Sequence, residues 1–114
     1  MKLLSFAHNG GTHVGAVVPE GIVDLTAALN ATNPDLRAAG SLLAIIQSGI
    51  DIDAIGEASI TALRGSGKLA SHLVRDPKFL PPVLQPPKIL ALALNYQEHI
   101  DETNLSFYNE PIVF

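Results

Sequence analysis

Short apolar runs separated by turn residues fill the first 25 positions of the chain. Lys2 to Ala7, Val14 to Val18 and Ile22 to Leu25 have the length and composition of strands. Asn9-Gly10-Gly11 and Pro19-Glu20-Gly21 lie between them and signal turns. The pattern predicts a small antiparallel meander, with Gly15 marking a bulge or a close approach. From position 26 to 67 the apolar spacing becomes helical. Thr26 to Leu29 fits a short turn of helix, and Asn33-Pro34 has the residues of a helix start. Ser41 opens a better helix, with Leu42, Leu43, Ile45 and Ile46 as its apolar face and Gly49 as its stop. Asp53 suits the cap of a third helix, with Ile55, Ala58, Ala62 and Leu63 as its stripe and Gly65-Ser66-Gly67 as its end. These stripes are read as core packing. Ala70 to Val74 fits a further strand, in which His72 is a partly buried structural histidine.

Positions 77 to 87 change character. Pro77, Pro81, Pro82, Pro86 and Pro87 remove backbone donors and disfavour helix, which predicts an extended, stiff connector. Beyond it, Lys88 to Leu94 is a continuous apolar run, the pattern of a strand covered on both faces. Asn95 to Glu102 is polar and helix-compatible, Thr103 to Asn109 reads as loop, and Glu110 to Phe114 is extended again. The expected class is α+β. A small N-terminal domain with a β-meander and short helices spans 1–76, a connector spans 77–87, and 88–114 begins a second unit. That last segment is too short to build a sheet alone, and a buried strand there needs neighbours.

Composition narrows the function. Hydrophobic residues make up 47% and charged residues 16% of the 114, enough to bury a core. The net charge of −4 and the scattered lysines and arginines argue against a nucleic-acid partner. Without cysteine there is no disulfide and no thiolate site. The apolar run at the start is too short for a secretory signal, and no stretch approaches the ~20 apolar residues of a membrane span. The expectation is a soluble cytoplasmic protein with no membrane partner.

Two glycine motifs fail on context. Gly65-Ser66-Gly67-Lys68 lacks the phosphate-loop glycine, for which Ala62 stands, and the following Ser or Thr, for which Leu69 stands. As a dinucleotide fingerprint the same segment follows a helix instead of a strand. His8 and His13 flank the first turn, and two histidines across a hairpin can hold a metal. No carboxylate or third histidine is evidently placed to join them, so solvated turn residues are the preferred reading, and no metal ligand is assigned. The surviving candidate is His99 with Glu102. On a helix, positions i and i+3 are surface neighbours, and a carboxylate beside an imidazole can activate water or move a proton. Asn95 and Tyr96 add an amide and an aromatic just after the apolar strand.

Pro87-Lys88-Ile89-Leu90, then Leu94-Asn95-Tyr96-x-x-His99-x-x-Glu102, then Pro111-x-x-Phe114 resembles the fumarylacetoacetate hydrolase family. Lys2-Leu3, Gly15, Val23-Asp24-Leu25 and Leu80-Pro81-Pro82-Val83 are similar, less specifically, to the N-terminal domain of its longer members. The resemblance implies that 88–114 is the first strand and helix of a mixed-β catalytic domain. It implies an enzyme that cleaves or rearranges 2-oxo and 1,3-dicarbonyl acids, aromatic-catabolism intermediates among them, with Mg²⁺ or another divalent cation. His99 and Glu102 become the catalytic dyad and Asn95 and Tyr96 substrate contacts. The family's metal-binding carboxylates lie downstream of Phe114, so this segment alone is expected to be inactive. Its members are commonly homodimers. Ala93 stands where the family usually has glycine. The alternative is a non-catalytic interaction module using 1–75, with the strand after Lys88 paired to a partner.

Overall fold

The computed structural model describes residues 1–36, 40–93, 101–102 and 112–114. Three strands, β1 (Lys2–His8), β2 (Gly11–Val18) and β3 (Gly21–Asp24), form the expected antiparallel meander. Asn9 and Gly10 both have positive φ, +46° and +78°, which is the backbone twist a two-residue hairpin favours. Gly15 is a close approach and not a bulge, because the β1–β2 register runs unbroken from Lys2↔Val17 to His8↔Gly11. A Cβ at Gly15 would lie 2.9 Å from Leu4 Cδ1 and 3.1 Å from Ile22 Cγ2.

Three helices follow: α1 (Leu25–Thr32), α2 (Leu42–Ser48) and α3 (Ile52–Gly65). Each starts on a side-chain cap, which satisfies an otherwise orphaned amide of the first turn. Asp24 Oδ1 accepts from Ala27 N at 2.9 Å, Ser41 Oγ from Ala44 N at 3.1 Å, and Asp51 Oδ1 from Ala54 N at 3.0 Å. Four sequence expectations change here. Ile46, expected on the apolar face of α2, is 68% exposed. Asn33 closes α1 instead of opening a helix, its N–H donating to Leu29 O at 2.6 Å. Asp51 and not Asp53 caps α3, leaving Asp53 in the first turn, where a negative charge complements the helix N-terminus. The buried stripe of α3 is Gly56, Ser59, Ile60 and Leu63, whereas Ala58 and Ala62 are exposed. The larger Ile60 decides which way the helix faces, since it has far more apolar surface to bury than either alanine.

The main core lies between one face of the sheet and the helices. Val14, Ala16 and Val23 meet Leu25, Ala28 and Leu29 of α1, Leu42 and Ile45 of α2, and Ile60 and Leu63 of α3. A short 3-10 helix, Leu69–His72, adds Leu69 to that core and leads into β4 (Leu73–Val74) on the far edge beside β3. His72 is half-buried as expected, but it sits in the 3-10 helix instead of the strand.

The proline-rich stretch is not only a connector. Lys78–Leu80 forms β5, which pairs antiparallel with β1 at the other edge, giving the order β4-β3-β2-β1-β5. Ser5 Oγ, in β1, donates to Pro82 O at 2.9 Å and extends the attachment. From Val74 to Lys78 the chain can reach at most about 15 Å. Five strands laid flat would set their edges about 19 Å apart. The sheet therefore curls to bring its two edges within reach of one short link. Phe6 is buried to 1% exposure on the sheet face that carries His13, its direct partner across β1 and β2.

Candidate functional site

The segment after Lys88 was expected to be a strand covered on both faces. Ala91 N donates to Phe114 O at 2.8 Å, Phe114 N to Ala91 O at 3.0 Å, and Ala93 N to Ile112 O at 3.0 Å. Leu92 and Val113 face each other across this short antiparallel pair. The strand thus has one neighbour, and it is not covered: Ile89 is 81% and Leu90 74% exposed. Continuous apolarity called for burial, but no second layer packs here among the described residues. Asp101 and Glu102 are helical and exposed, in accord with the helix expected to carry Glu102. Asn95, Tyr96 and His99, and the stretch Thr103 to Asn109 expected as loop, lie outside the described residues.

A second constellation emerges on the curled sheet. His13 in β2 lies opposite Phe6 in β1, and His8 is two residues beyond Phe6, so all three side chains share a face. Asp24 lies opposite Gly15, two residues from His13, and joins the same face from β3. His13 Nδ1 donates to Asp24 Oδ2 at 2.7 Å, and the His8 and His13 ring centroids are 4.6 Å apart. Phe6 meets both rings edge-on, at 6.2 and 5.8 Å. Asp24 is buried, His13 half-buried and His8 exposed. The sequence expectation that no carboxylate joins the two histidines is corrected: Asp24 does. The signal was present in the strand parity. A two-residue turn at Asn9-Gly10 fixes which residues oppose, and a tight turn at Pro19-Glu20 carries that register to β3.

No family model matches this chain. Two bovine (Bos taurus) proteins, oxaloacetate tautomerase FAHD2A and oxaloacetate tautomerase FAHD2B, both mitochondrial by name, are 30% identical to it over 122 aligned residues. The alignment takes in 100% of this chain and 34% of each relative, so the chain spans about a third of their length. An uncharacterised protein of Archaeoglobus fulgidus is 54% identical over 37 residues, 32% of this chain and 14% of its own length. The similarity to the tautomerases supports a distant relationship to the fumarylacetoacetate hydrolase family. The α+β class is as expected, with a curled five-stranded sheet and three helices. Among the described residues no helix is long and apolar enough to cross a membrane.

Proposed function

We propose that these 114 residues are the N-terminal part of a fumarylacetoacetate hydrolase family enzyme acting on 2-oxo or 1,3-dicarbonyl acids. The observation that supports this best is the 30% identity to the tautomerases over the whole chain, with Asn95-Tyr96-x-x-His99-x-x-Glu102 inside the aligned region. In this reading residues 1–76 are a supporting domain whose sheet also takes in β5 from the stretch 77–87, the rest of that stretch leads on to the next unit, and 88–114 open the catalytic domain.

The chemistry assigned to the dyad is proton transfer. Glu102 accepts a hydrogen bond from the His99 imidazole and holds its tautomer. The free imidazole nitrogen then takes a proton, either from carbon next to the keto group or from a water that attacks the second carbonyl. In the first case the proton returns to the enolate oxygen and the net reaction is tautomerisation. In the second the C–C bond breaks and the proton goes to the departing enolate. Asn95 and Tyr96 bind and orient the acid. Of these alternatives the tautomerisation of a small 2-oxo acid is favoured by the activity in the bovine relatives' names. The family's Mg²⁺-type cation would stabilise enolate charge. Its Glu-x-Glu ligands do not occur in this sequence.

The test is an assay of the longer enzyme that contains this segment. Loss of the enol absorbance of oxaloacetate reports tautomerisation, and cleavage of acylpyruvates reports hydrolysis. One of these activities should be present and should require both His99 and Glu102, while residues 1–114 alone should show none. Full activity in the 114-residue chain, or in the double variant, overturns the reading.

A second reading is favoured by the exposure of Ile89 and Leu90. In it the chain is a non-catalytic module that pairs through residues 88–94, as a homodimer. Sedimentation of the chain as a dimer that Leu90→Asp dissociates would support it, and a monomer at high micromolar concentration would remove it.

A further inference from the structure

The geometry points to a divalent transition-metal site, of the kind that takes Zn²⁺, formed by His8, His13 and Asp24. It does not depend on the reading of His99 and Glu102. Each of the three residues offers one ligand atom, and these atoms all lie within 4.8 Å of one another. Two imidazole nitrogens and a carboxylate oxygen form a donor set that suits zinc. Ligand atoms around a tetrahedral zinc sit about 3.3 Å apart, given bonds of about 2.0–2.1 Å. Asp24 Oδ2 and His13 Nδ1 stand at 2.7 Å, so an ion between them widens this pair by only about 0.6 Å. The remaining adjustment falls on His8, the exposed member, at the end of β1.

Three features separate this cluster from an ordinary histidine–aspartate pair. First, a structural pair would need only His13 and Asp24, yet the hairpin brings a third donor to the same face. Second, Asn9 Nδ2 donates to His8 Nε2 at 3.0 Å and holds that ring beside His13; an ion bound at Nε2 takes over this lone pair and displaces the exposed hydrogen bond. Third, the carboxylate is fixed in place. Asp24 Oδ1 is held by the Ala27 amide while Oδ2 faces His13, which leaves the ligating oxygen oriented before any ion arrives. When the cation binds at His13 Nδ1 it replaces the proton shared with Asp24; Nε2 carries the ring's one proton in the bound state, so the imidazole ligates as the neutral ring.

His8 and Asp24 also line a surface cleft of about 370 Å³, with Ser71, His72 and Arg75 among its other walls. Three protein ligands at the side of an open cleft leave a coordination position for water or a small anion, the arrangement of a reactive site more than of a closed structural one.

Titration of the chain with Zn²⁺, followed by calorimetry and by histidine NMR signals, tests the site. One ion should bind per chain, shifting the imidazole resonances of His8 and His13 and raising the melting temperature. His8→Ala removes an exposed side chain, so its fold should be retained by circular dichroism. It should weaken binding by more than the roughly 10–100-fold that loss of a supporting partner outside the ligand set costs. His99→Ala should bind Zn²⁺ as the parent does. The proposal fails if the parent takes up no stoichiometric Zn²⁺ at micromolar concentration. It fails equally if His8→Ala binds as tightly as the parent, or if His99→Ala is the variant that loses the ion.

Discussion

Leu29 and Leu90 are the same side chain in opposite settings. Leu29 is fully buried between α1 and the sheet, whereas Leu90 is 74% exposed beside a two-stranded pair. The local sequence around Leu90 is at least as apolar, running Ile89, Leu90, Ala91, Leu92. The difference lies in what each strand has to pack against. In residues 2–80 the meander meets three helices, so alternate side chains leave water on one face together. At Ala91–Ala93 the backbone bonds to 112–114 are made, yet no helix lies over the pair among the described residues. Hydrogen bonding alone makes such a pair marginal, because burial supplies most of the favourable free energy.

The sharpest way to separate the two regions is to ask which one activity depends on and which one stability depends on. If the proposed function holds, His99→Ala or Glu102→Gln in the longer enzyme it proposes should lower turnover by ~10²–10⁴-fold while the melting temperature barely moves. Turnover within a few-fold of the parent in both variants would make the pair structural. Leu29→Ala should cost about 2–5 kcal/mol in denaturant unfolding of the chain, and Leu90→Ala within about 0.5 kcal/mol. Equal losses would mean that a second layer covers Leu90 in solution. Gly15→Ala should cost about 1 kcal/mol, since the new methyl meets Leu4 Cδ1 at 2.9 Å and that flexible end can shift. No loss there would show that Leu4 and Ile22 leave more room beside Gly15 than the strand registers imply. The smallest effect concerns Glu20 and Arg64. Arg64 donates from Nε and Nη2 to the two carboxylate oxygens at 2.8 and 3.1 Å. These hydrogen bonds lower the pKa of Glu20 below its ordinary value. Its stabilisation is therefore present above the unfolded-state pKa and is lost as pH falls through the lower folded one. Both side chains are solvent-facing, so Arg64→Ala should only slightly flatten the acid limb of a melting-temperature profile.

Local rules carried the meander well. Asn9-Gly10-Gly11 announced a turn, and Ser41 and Gly49 bounded α2 as their chemistry dictates. Rules that depend on distant chain failed in identifiable ways. Ala58 and Ala62 fit a helical stripe by spacing, but the neighbours of α3 receive Ile60 instead. Residues 78–80 carry prolines on either side and give no hint that β1, seventy positions earlier, needs an edge partner. Asp24 was legible as part of a strand and invisible as a partner of His13, because that contact requires two turns to be read together. For the candidate dyad, spacing placed Glu102 on a helix, and nothing local in the sequence specifies what stands over that helix.

The pairing of β5 with β1 also bears on how the protein is made. Both edges of the meander are capped by one late stretch, β4 beside β3 and β5 beside β1, with only Arg75, Asp76 and Pro77 between them. At about 5–20 residues per second, several seconds of translation separate the first strand from the last. During that interval the nascent chain on the ribosome offers two bare strand edges, which are templates for pairing with other chains. A stop or cleavage just before Lys78 would leave β1 bare permanently. Such truncated products should therefore be the ones that chaperones hold or that accumulate as aggregates.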